Sequence, residues 1–209
     1  PDFTPKKWPR QQRSRQTFEA IVEACTRLLA EYGYAALTTN HIADRAGVGI
    51  ASVYEYFTDK DAVVAQVAER LVTRVMARLA EHMDEILAAA PADGVYRWID
   101  RIHRTLETER DLVAVFVYEV PYTNRLPAIR NLTAELMRFS EQARGQAGVE
   151  LAQPRIELYL IINLVSSTIL QLILEPPADV DATDMKTALA GRVADWIGTA
   201  EIGERKGER

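Results

Sequence analysis

The sequence predicts an all-α protein, and three observations support this prediction. Its 209 residues suffice for one or two domains with a buried core. Apolar residues recur at spacings of three and four, the period of one helical face, and no segment alternates as a strand does. Proline is absent from residues 10–90 and then recurs often enough to divide the rest of the chain into helix-sized pieces.

The first part of the chain predicts three closely spaced helices. Residues 18–32 carry one apolar face, and Gly33 follows as a suitable C-terminal stop. A second, shorter helix begins at Thr38 or the next residue, whose hydroxyl can cap free amides, and ends at Gly47. A third, residues 50–56, follows after a short turn. Two short helices joined by a glycine-containing turn and packed on a longer helix form a helix-turn-helix unit.

The rest of the chain predicts six further helices. An amphipathic run begins after Asp59, a capping residue, and reaches residue 90. The later pieces are expected at residues 93–109, 110–120, 126–146, 154–175 and 181–200. The predicted domains are therefore a flexible basic arm (1–14), a helix-turn-helix domain (15–60), a helical C-terminal domain (61–200) and a flexible tail (201–209).

Charge is unevenly distributed along the chain. The net charge of −5 argues against a uniformly basic surface for nucleic acid. The first fifteen residues, however, carry five basic side chains against one acidic, whereas residues 61–209 carry 17 basic and 23 acidic. A short cationic arm therefore precedes an acidic body. The alternative to a DNA-contacting arm is a solvated tail.

Several classes of function find no support in the residues. Cys25 is the only cysteine and the three histidines are far apart, so neither a metal nor another cofactor is expected. The sequence has no glycine-rich phosphate loop, no paired acidic motif and no nucleophile with a nearby base, which makes an all-helical enzyme a remote alternative. The longest apolar stretch is interrupted by polar residues and no leader pattern is visible, so the expected location is the cytoplasm, without a membrane.

Within residues 15–63, glycine, aromatic and lysine positions form a recognisable pattern in six segments: Ala30-Glu31-Tyr32-Gly33-Tyr34, Leu37-Thr38-Thr39, Ile42-Ala43, Ala46-Gly47-Val48, Val53-Tyr54-Glu55-Tyr56-Phe57 and Lys60. With these segments, residues 15–63 resemble the DNA-binding domain of the tetracycline-repressor-like (TetR) transcriptional regulators. The resemblance implies an all-helical dimer with an N-terminal three-helix helix-turn-helix domain and a C-terminal helical ligand-binding and dimerisation domain. The remainder of the chain matches only this general plan.

The resemblance also implies which residues contact DNA. The start of the second helix would receive a phosphate on its free amides and hydroxyls, while two tyrosines and a lysine would position the protein on the backbone. The third helix departs from the family pattern, with Gly49 in place of the usual serine and Ala51 in place of the usual glycine. Apolar side chains there can still meet a thymine methyl group. The predicted DNA-binding residues are Arg13, Arg15, Thr38, Thr39, Asn40, Ile50, Ala51, Ser52, Tyr54, Tyr56 and Lys60.

The last two helices are predicted to pair two subunits. The helix at 154–175 is apolar nearly all round, so we expect a second chain to cover part of it. The predicted interface comprises Leu158, Ile162, Val165, Ile169, Leu172, Met185, Leu189, Val193 and Trp196. The alternative for these residues is an ordinary core within one chain.

An aromatic lining interrupted by polar groups predicts a ligand pocket in the C-terminal domain. The candidate residues are Trp98, His103, Phe116, Glu119, Tyr122, Met137, Phe139, Tyr159 and Asn163. A buried Glu119 beside aromatic rings would suit a cationic ligand. The alternatives are a packed core and a helix-end glutamate paired with an arginine at the surface.

The function expected is that of a DNA-binding transcriptional regulator that acts as a repressor. A homodimer would bind a palindromic operator in double-stranded DNA and be released by a small apolar or aromatic effector. An architectural DNA-binding protein without an effector is the main alternative.

Overall fold

A computed structural model describes residues 3–81 and 83–204, apart from the side chains of residues 91 and 199–204. Within these ranges it contains α-helices and one short 3₁₀ helix and no strand, which confirms the predicted all-α class. The helices are α1 (Gln12–Tyr32), α2 (Thr39–Ala46), α3 (Ile50–Tyr56), α4 (Lys60–Ala80), α5 (Met83–Leu87), α6 (Pro91–Glu107), α7 (Arg110–Tyr118), α8 (Pro127–Ala147), α9 (Pro154–Leu174) and α10 (Ala182–Glu204), with the 3₁₀ helix at Thr123–Arg125.

The chain divides into two compact units. Unit 1 holds residues up to 74 together with residues 111–131, and unit 2 holds residues 75–110 together with residues from 132 onward. The sequence predicts that the helix-turn-helix domain ends at residue 60, whereas the first segment of unit 1 extends to residue 74. Most of α4 and the whole segment 111–131 therefore belong with the helix-turn-helix.

Three predicted helix boundaries differ from those of the structure. The long helix expected to reach residue 90 ends at Ala80, where Arg101 Nη1 donates a hydrogen bond of 2.6 Å to the Glu81 carbonyl oxygen. Pro91 begins α6 instead of preceding it, because proline fits the first helical position, where no amide hydrogen is needed. The expected tail is helical as far as Glu204, and its last five residues lie outside the described part of the chain.

Unit 1 is built around the apolar face of α1. The Phe18 ring packs against Phe57 at 5.0 Å and, edge to face, against Tyr56 at 5.7 Å. Two side-chain ion pairs hold neighbouring helices on α1, a bidentate one from Arg45 to Glu31 and one of 2.6 Å from Arg70 to Glu19. Fully buried side chains of this core come from the four N-terminal helices, the turn after α3 and the segment 111–131, and they include Ile21, Val22, Leu29, Ile42, Val53, Phe57, Val63 and Leu126.

Unit 2 surrounds α9 on one side only. Its core is formed by residues of α4, α6, α9 and α10, among them Leu79, Ile99, Val165, Ile169 and Val193. The opposite side of α9 presents apolar side chains to solvent: Ile156, Tyr159, Leu160 and Leu164 are 57, 51, 47 and 43% exposed. We call these four residues the outer face of α9.

By length and composition α9 could also cross a membrane, with a mean hydropathy of 1.8 over its most apolar part. A core helix of a water-soluble protein passes the same test, and α9 buries seven side chains against its own unit. Its composition alone therefore does not indicate a membrane span.

A buried ion pair joins α6 and α10 in unit 2. Lys186 is 7% exposed, and its Nζ lies 2.5 Å from Asp100 Oδ1. Arg104, largely exposed, contacts the other oxygen of Asp100 at 2.6 Å. Burial alone would raise the pKa of Asp100, but the hydrogen bond and charge of Lys186, assisted by Arg104, outweigh burial and hold that pKa below its usual value.

Candidate nucleic-acid interface

The turn between α2 and α3 has the geometry expected of a helix-turn-helix. Thr38 caps α2 by accepting a hydrogen bond of 3.1 Å from the His41 amide. Gly47 ends α2 with φ of 67°, a left-handed conformation that favours glycine. The Val48 amide then donates to the Ala43 carbonyl at 3.0 Å. These bonds fix the direction in which the chain enters α3.

The seven residues of α3 divide between the core and the surface. Val53 is fully buried and Tyr56 is 3% exposed, so these two side chains attach the helix to unit 1. Ile50 is 38% exposed, Tyr54 is 45% exposed, and Ala51 lies on the surface as well. The exposed part thus combines apolar side chains able to contact a thymine methyl group with one hydroxyl.

The DNA-contact residues predicted at α2 and α3 come together, with one exception. Thr39 Oγ1 and the Tyr54 hydroxyl oxygen lie 3.1 Å apart, and Thr38 and Asn40 are exposed beside them. Ser52, in the first turn of α3, is half-buried. The exception is Tyr56, which was predicted to contact DNA. Its ring packs against Phe18 and is almost fully covered, so in this structure Tyr56 is a core residue.

Lys60 was predicted to contact a phosphate, but in the structure its ammonium group also joins two segments of unit 1. Its Nζ donates to the carbonyl oxygens of Leu37 at 3.0 Å and Tyr34 at 3.3 Å, and lies 4.1 Å from the centre of the Tyr34 ring. An ammonium group has three N–H donors. Two are therefore occupied in joining α4 to the segment before α2.

The basic arm packs on α3, contrary to the prediction that it is flexible. Pro5 is buried, and the Lys6 amide donates to the Tyr56 carbonyl at 2.8 Å. Lys6 Nζ donates to the Tyr54 carbonyl at 2.8 Å. Lys7 pairs with Glu55, whose hydrogen bond and charge raise the pKa of Lys7. The arm therefore places two cations at the C-terminal end of α3, where carbonyl oxygens lack helical partners.

Arg13 and Arg15 lie apart from these contacts, exposed on the first turns of α1. Together with Lys6, Lys7 and Arg10 they are the exposed basic side chains of the first fifteen residues, in which the sequence predicted an excess of positive charge. Phosphate contacts depend on such side chains, because each one releases counterions from the duplex.

A polar cluster in unit 1 escaped the sequence analysis. Asp61 Oδ1 accepts hydrogen bonds from the Tyr34 hydroxyl at 2.8 Å and the Tyr122 hydroxyl at 2.7 Å. Burial, strengthened by this carboxylate, raises the pKa of Tyr122 far above its usual value. A carboxylate oxygen of Glu119 accepts from the Tyr34 amide at 2.8 Å. The partners are up to 85 residues apart, so no local pattern in the sequence could have indicated them.

The nine residues predicted to bind a ligand are divided between the two units. Phe116, Glu119 and Tyr122 belong to unit 1, where Glu119 is exposed and its partner is an amide, which corrects the expectation of a buried carboxylate for a cation. The predicted residues that line a cavity in unit 2 are Trp98 and Phe139. His103, Met137, Tyr159 and Asn163 are not among that cavity's described lining residues. Burial, assisted by the charge of Lys186, lowers the pKa of His103.

The predicted dimer residues form the core of their own chain. Their period was correct, but α9 presents the opposite face to solvent. The inward side has enough apolar partners in α6 and α10 to cover it. Leu158, Ile162, Val165, Ile169, Leu172, Leu189 and Val193 are between 0 and 7% exposed, and Met185 and Trp196 pack against the same core. In the single chain these nine residues therefore form an ordinary core, which was the alternative that the sequence left open.

The capped turn between α2 and α3 and the exposed part of α3 are the features of a helix-turn-helix protein. The family model described as bacterial regulatory proteins of the tetR family matches residues 21–67. The match overlaps residues 15–63, the part of the chain whose sequence resembles the TetR regulators.

Curated relatives match the N-terminal part. An uncharacterised HTH-type transcriptional regulator of Mycobacterium tuberculosis is 38% identical over 66 residues, which cover 32% of this chain and 31% of that protein. An HTH-type transcriptional repressor of the same species is 38% identical over 87 residues, 42% of this chain and 43% of that protein. The chain thus spans about a third of the length of the first curated relatives that it matches.

Solved structures match over most of the chain. A TetR-family transcriptional regulator from Mesorhizobium loti has a TM-score of 0.65 and 17% identity, covering 90% of this chain and 96% of its own. A transcriptional regulator from Streptomyces coelicolor has a TM-score of 0.63 and 23% identity, covering 86% and 98%. At these identities the likeness extends to the fold alone.

Proposed function

We propose that the chain is a DNA-binding transcriptional regulator, a repressor that binds a palindromic operator as a homodimer. The observation that carries the proposal is the exposed part of α3, held by a capped turn and flanked by the cationic arm, within the segment that the tetR family model matches. Ile50, Ala51 and Ser52 contact base edges in the major groove. Thr38, Thr39, Asn40, Tyr54, Arg13 and Arg15 contact phosphates, and Lys60 contributes its remaining donor.

The dimer in this proposal forms through the outer face of α9. Four large apolar side chains in one stripe are costly to leave in water, and exposed apolar patches of this kind mark protein interfaces. A second copy covers them with the same surface, as a twofold axis requires. The pairing sets the distance between two copies of α3, which must match one turn of DNA, about 34 Å, or a multiple of it.

An effector completes the proposal. A small molecule with a largely apolar body binds in unit 2 and stabilises the conformation in which the two α3 helices no longer match the operator. Helix α4 carries the change, because its residues belong to both units. The protein acts in the cytoplasm, without catalytic activity.

The operator is the direct test. We expect that selection from a pool of random duplexes with the purified chain enriches an inverted repeat, and that two chains bind each selected duplex. A family of single half-sites bound by one chain would contradict the dimeric arrangement. Failure to enrich any sequence at low salt would contradict the DNA-binding function itself.

The variant Arg13→Gln tests the proposed contact between Arg13 and a DNA phosphate. Replacing Arg13 by glutamine removes one phosphate contact, so we expect weaker binding to operator and random DNA alike. The slope of log K against log salt concentration should become shallower by about one. Arg97→Gln, an exposed arginine of α6 in unit 2, is the matched control and should leave the slope unchanged. A slope unaltered by Arg13→Gln would exclude this contact.

A further inference from the structure

A cavity of about 330 Å³ lies within unit 2 among α5, α6, α8, α9 and α10. Apolar side chains such as Ile86, Phe139, Leu158 and Ile161 form most of its wall. Its size is at the lower end of the range for small-molecule sites. At ~30 Å³ for each water-sized group, it accommodates roughly a dozen non-hydrogen atoms.

Two of the residues that line this cavity, Trp98 and Arg144, each carry a buried polar atom without a partner in the described part of the chain. Trp98 Nε1 and Arg144 Nε are covered from solvent, and neither has a hydrogen-bond partner among the described residues. The guanidinium is anchored from its other end, because Arg144 Nη1 donates to the Val149 carbonyl at 2.7 Å. A buried donor left without an acceptor is costly and rare in proteins.

The two atoms share one chemical requirement. An indole N–H and a guanidinium N–H only donate, so each needs an acceptor from outside the chain. Arg144 adds a positive charge, and none of the described residues around the cavity is a carboxylate that could neutralise it. Guanidinium groups bind carboxylates through strong charge-assisted hydrogen bonds.

We infer that the occupant of this cavity is an organic acid, whose carboxylate accepts hydrogen bonds from Arg144 Nε and Trp98 Nε1 while its apolar body fills the remainder. The inference rests on the proposed function, since it gives the chemical class of the effector. A saturated acid of ten carbons has a dozen non-hydrogen atoms and matches the volume. Decanoate is therefore the probe.

The test on the unaltered chain compares three probes of equal length by calorimetry without DNA. Decanoate should bind at least about tenfold more tightly than 1-decanol, because a hydrogen bond to a charged group is worth that factor or more. Decylamine, a cation beside Arg144, should bind most weakly. Equal affinity for decanoate and decanol, tighter binding of decylamine, or no binding of decanoate at millimolar concentration would each overturn the inference.

Variants locate the carboxylate. Arg144→Gln should weaken decanoate binding about tenfold or more and leave decanol binding nearly unchanged. Trp98→Phe keeps a ring in the wall but removes the donor, so it should weaken decanoate binding several-fold and carries the test if Arg144→Gln fails to fold. Arg138→Gln, exposed on the same helix, is the matched control and should bind decanoate as the unaltered chain does. If Trp98→Phe and Arg144→Gln both bound decanoate as tightly as the unaltered chain, the carboxylate would not be bound by these two side chains and the inference would be wrong.

The outcome for DNA is measured separately. If the chain selects no operator but distinguishes decanoate from decanol, the proposed function fails and the site stands. If it binds an operator but does not distinguish the probes, the regulator stands and the acid is excluded as its effector class.

Discussion

Replacing Leu164 by glutamate is expected to make the protein monomeric and to lower its affinity for a palindromic operator about 10²- to 10⁴-fold. Leu164 belongs to the outer face of α9 and is 43% exposed in the single chain. In the proposed dimer, each subunit would bury one glutamate charge in the apolar interface, where the outer face offers it no cationic partner. The affinity falls because each half-site is then bound without the gain in effective concentration that a linked second half-site provides.

Sedimentation at micromolar concentration and operator titration measure the two effects. The fold should persist, since the altered side chain contributes little to the core, and the thermal unfolding midpoint should approach that of an isolated subunit. Val117→Glu is the matched control: Val117 is also apolar, 49% exposed and helical, but lies on α7 in unit 1. A Leu164→Glu protein that still sediments as a dimer would exclude the outer face as the interface.

Replacing Asp100 by asparagine is expected to destabilise the protein by about 3 kcal/mol. The change leaves the Lys186 ammonium, 7% exposed, without its carboxylate. An uncompensated buried charge costs about 3–5 kcal/mol in other proteins. Urea unfolding followed by circular dichroism measures the loss.

Arg104→Gln is the control for this change, since it removes the other ion pair of Asp100. The Arg104 side chain is 79% exposed, and such surface pairs contribute at most about 1 kcal/mol. A loss after Asp100→Asn no greater than after Arg104→Gln would contradict a stabilising role for the buried pair.

The pH dependence of stability checks the same pair. Because the folded protein holds the pKa of Asp100 below its unfolded value, the ionised carboxylate stabilises the fold above about pH 4. This stabilisation is lost as the pH falls through the lowered pKa of the folded state. The difference in stability between the unaltered protein and Asp100→Asn should therefore shrink in that range. If the difference in stability between the two proteins stayed constant down to pH 2, the lowered pKa of Asp100 would be contradicted.

The sequence predicted the helix-turn-helix well because its signals are local. A capping threonine, a glycine with positive φ and an apolar period within one helix act over a few residues. The prediction that α9 is apolar on more than one side was likewise correct in composition. Which side faces its own chain depends on α6 and α10, so the sequence alone could not show that the residues predicted for the dimer pack within their own chain.

The ligand residues were harder to predict for the same reason. An aromatic residue in a helical pattern indicates burial, but not which unit buries it. Phe116 and Tyr122 belong with the helix-turn-helix, while Arg144, for which the sequence predicted no role, lines the cavity. Hydrogen-bond satisfaction at a buried atom depends on the packed structure and has no counterpart in spacing or composition.

The composition of unit 1 from two separate segments affects how the protein folds during synthesis. Tyr122 and Leu126 are 6% and 0% exposed, so the second segment is integral to this unit. Unit 1 therefore cannot complete its packing until the ribosome has released residue 131. Helix α3, by contrast, is fully synthesised 75 residues earlier, at residue 56. For the same reason a fragment cut after residue 74 would expose the surface that the later segment covers and would be prone to aggregation.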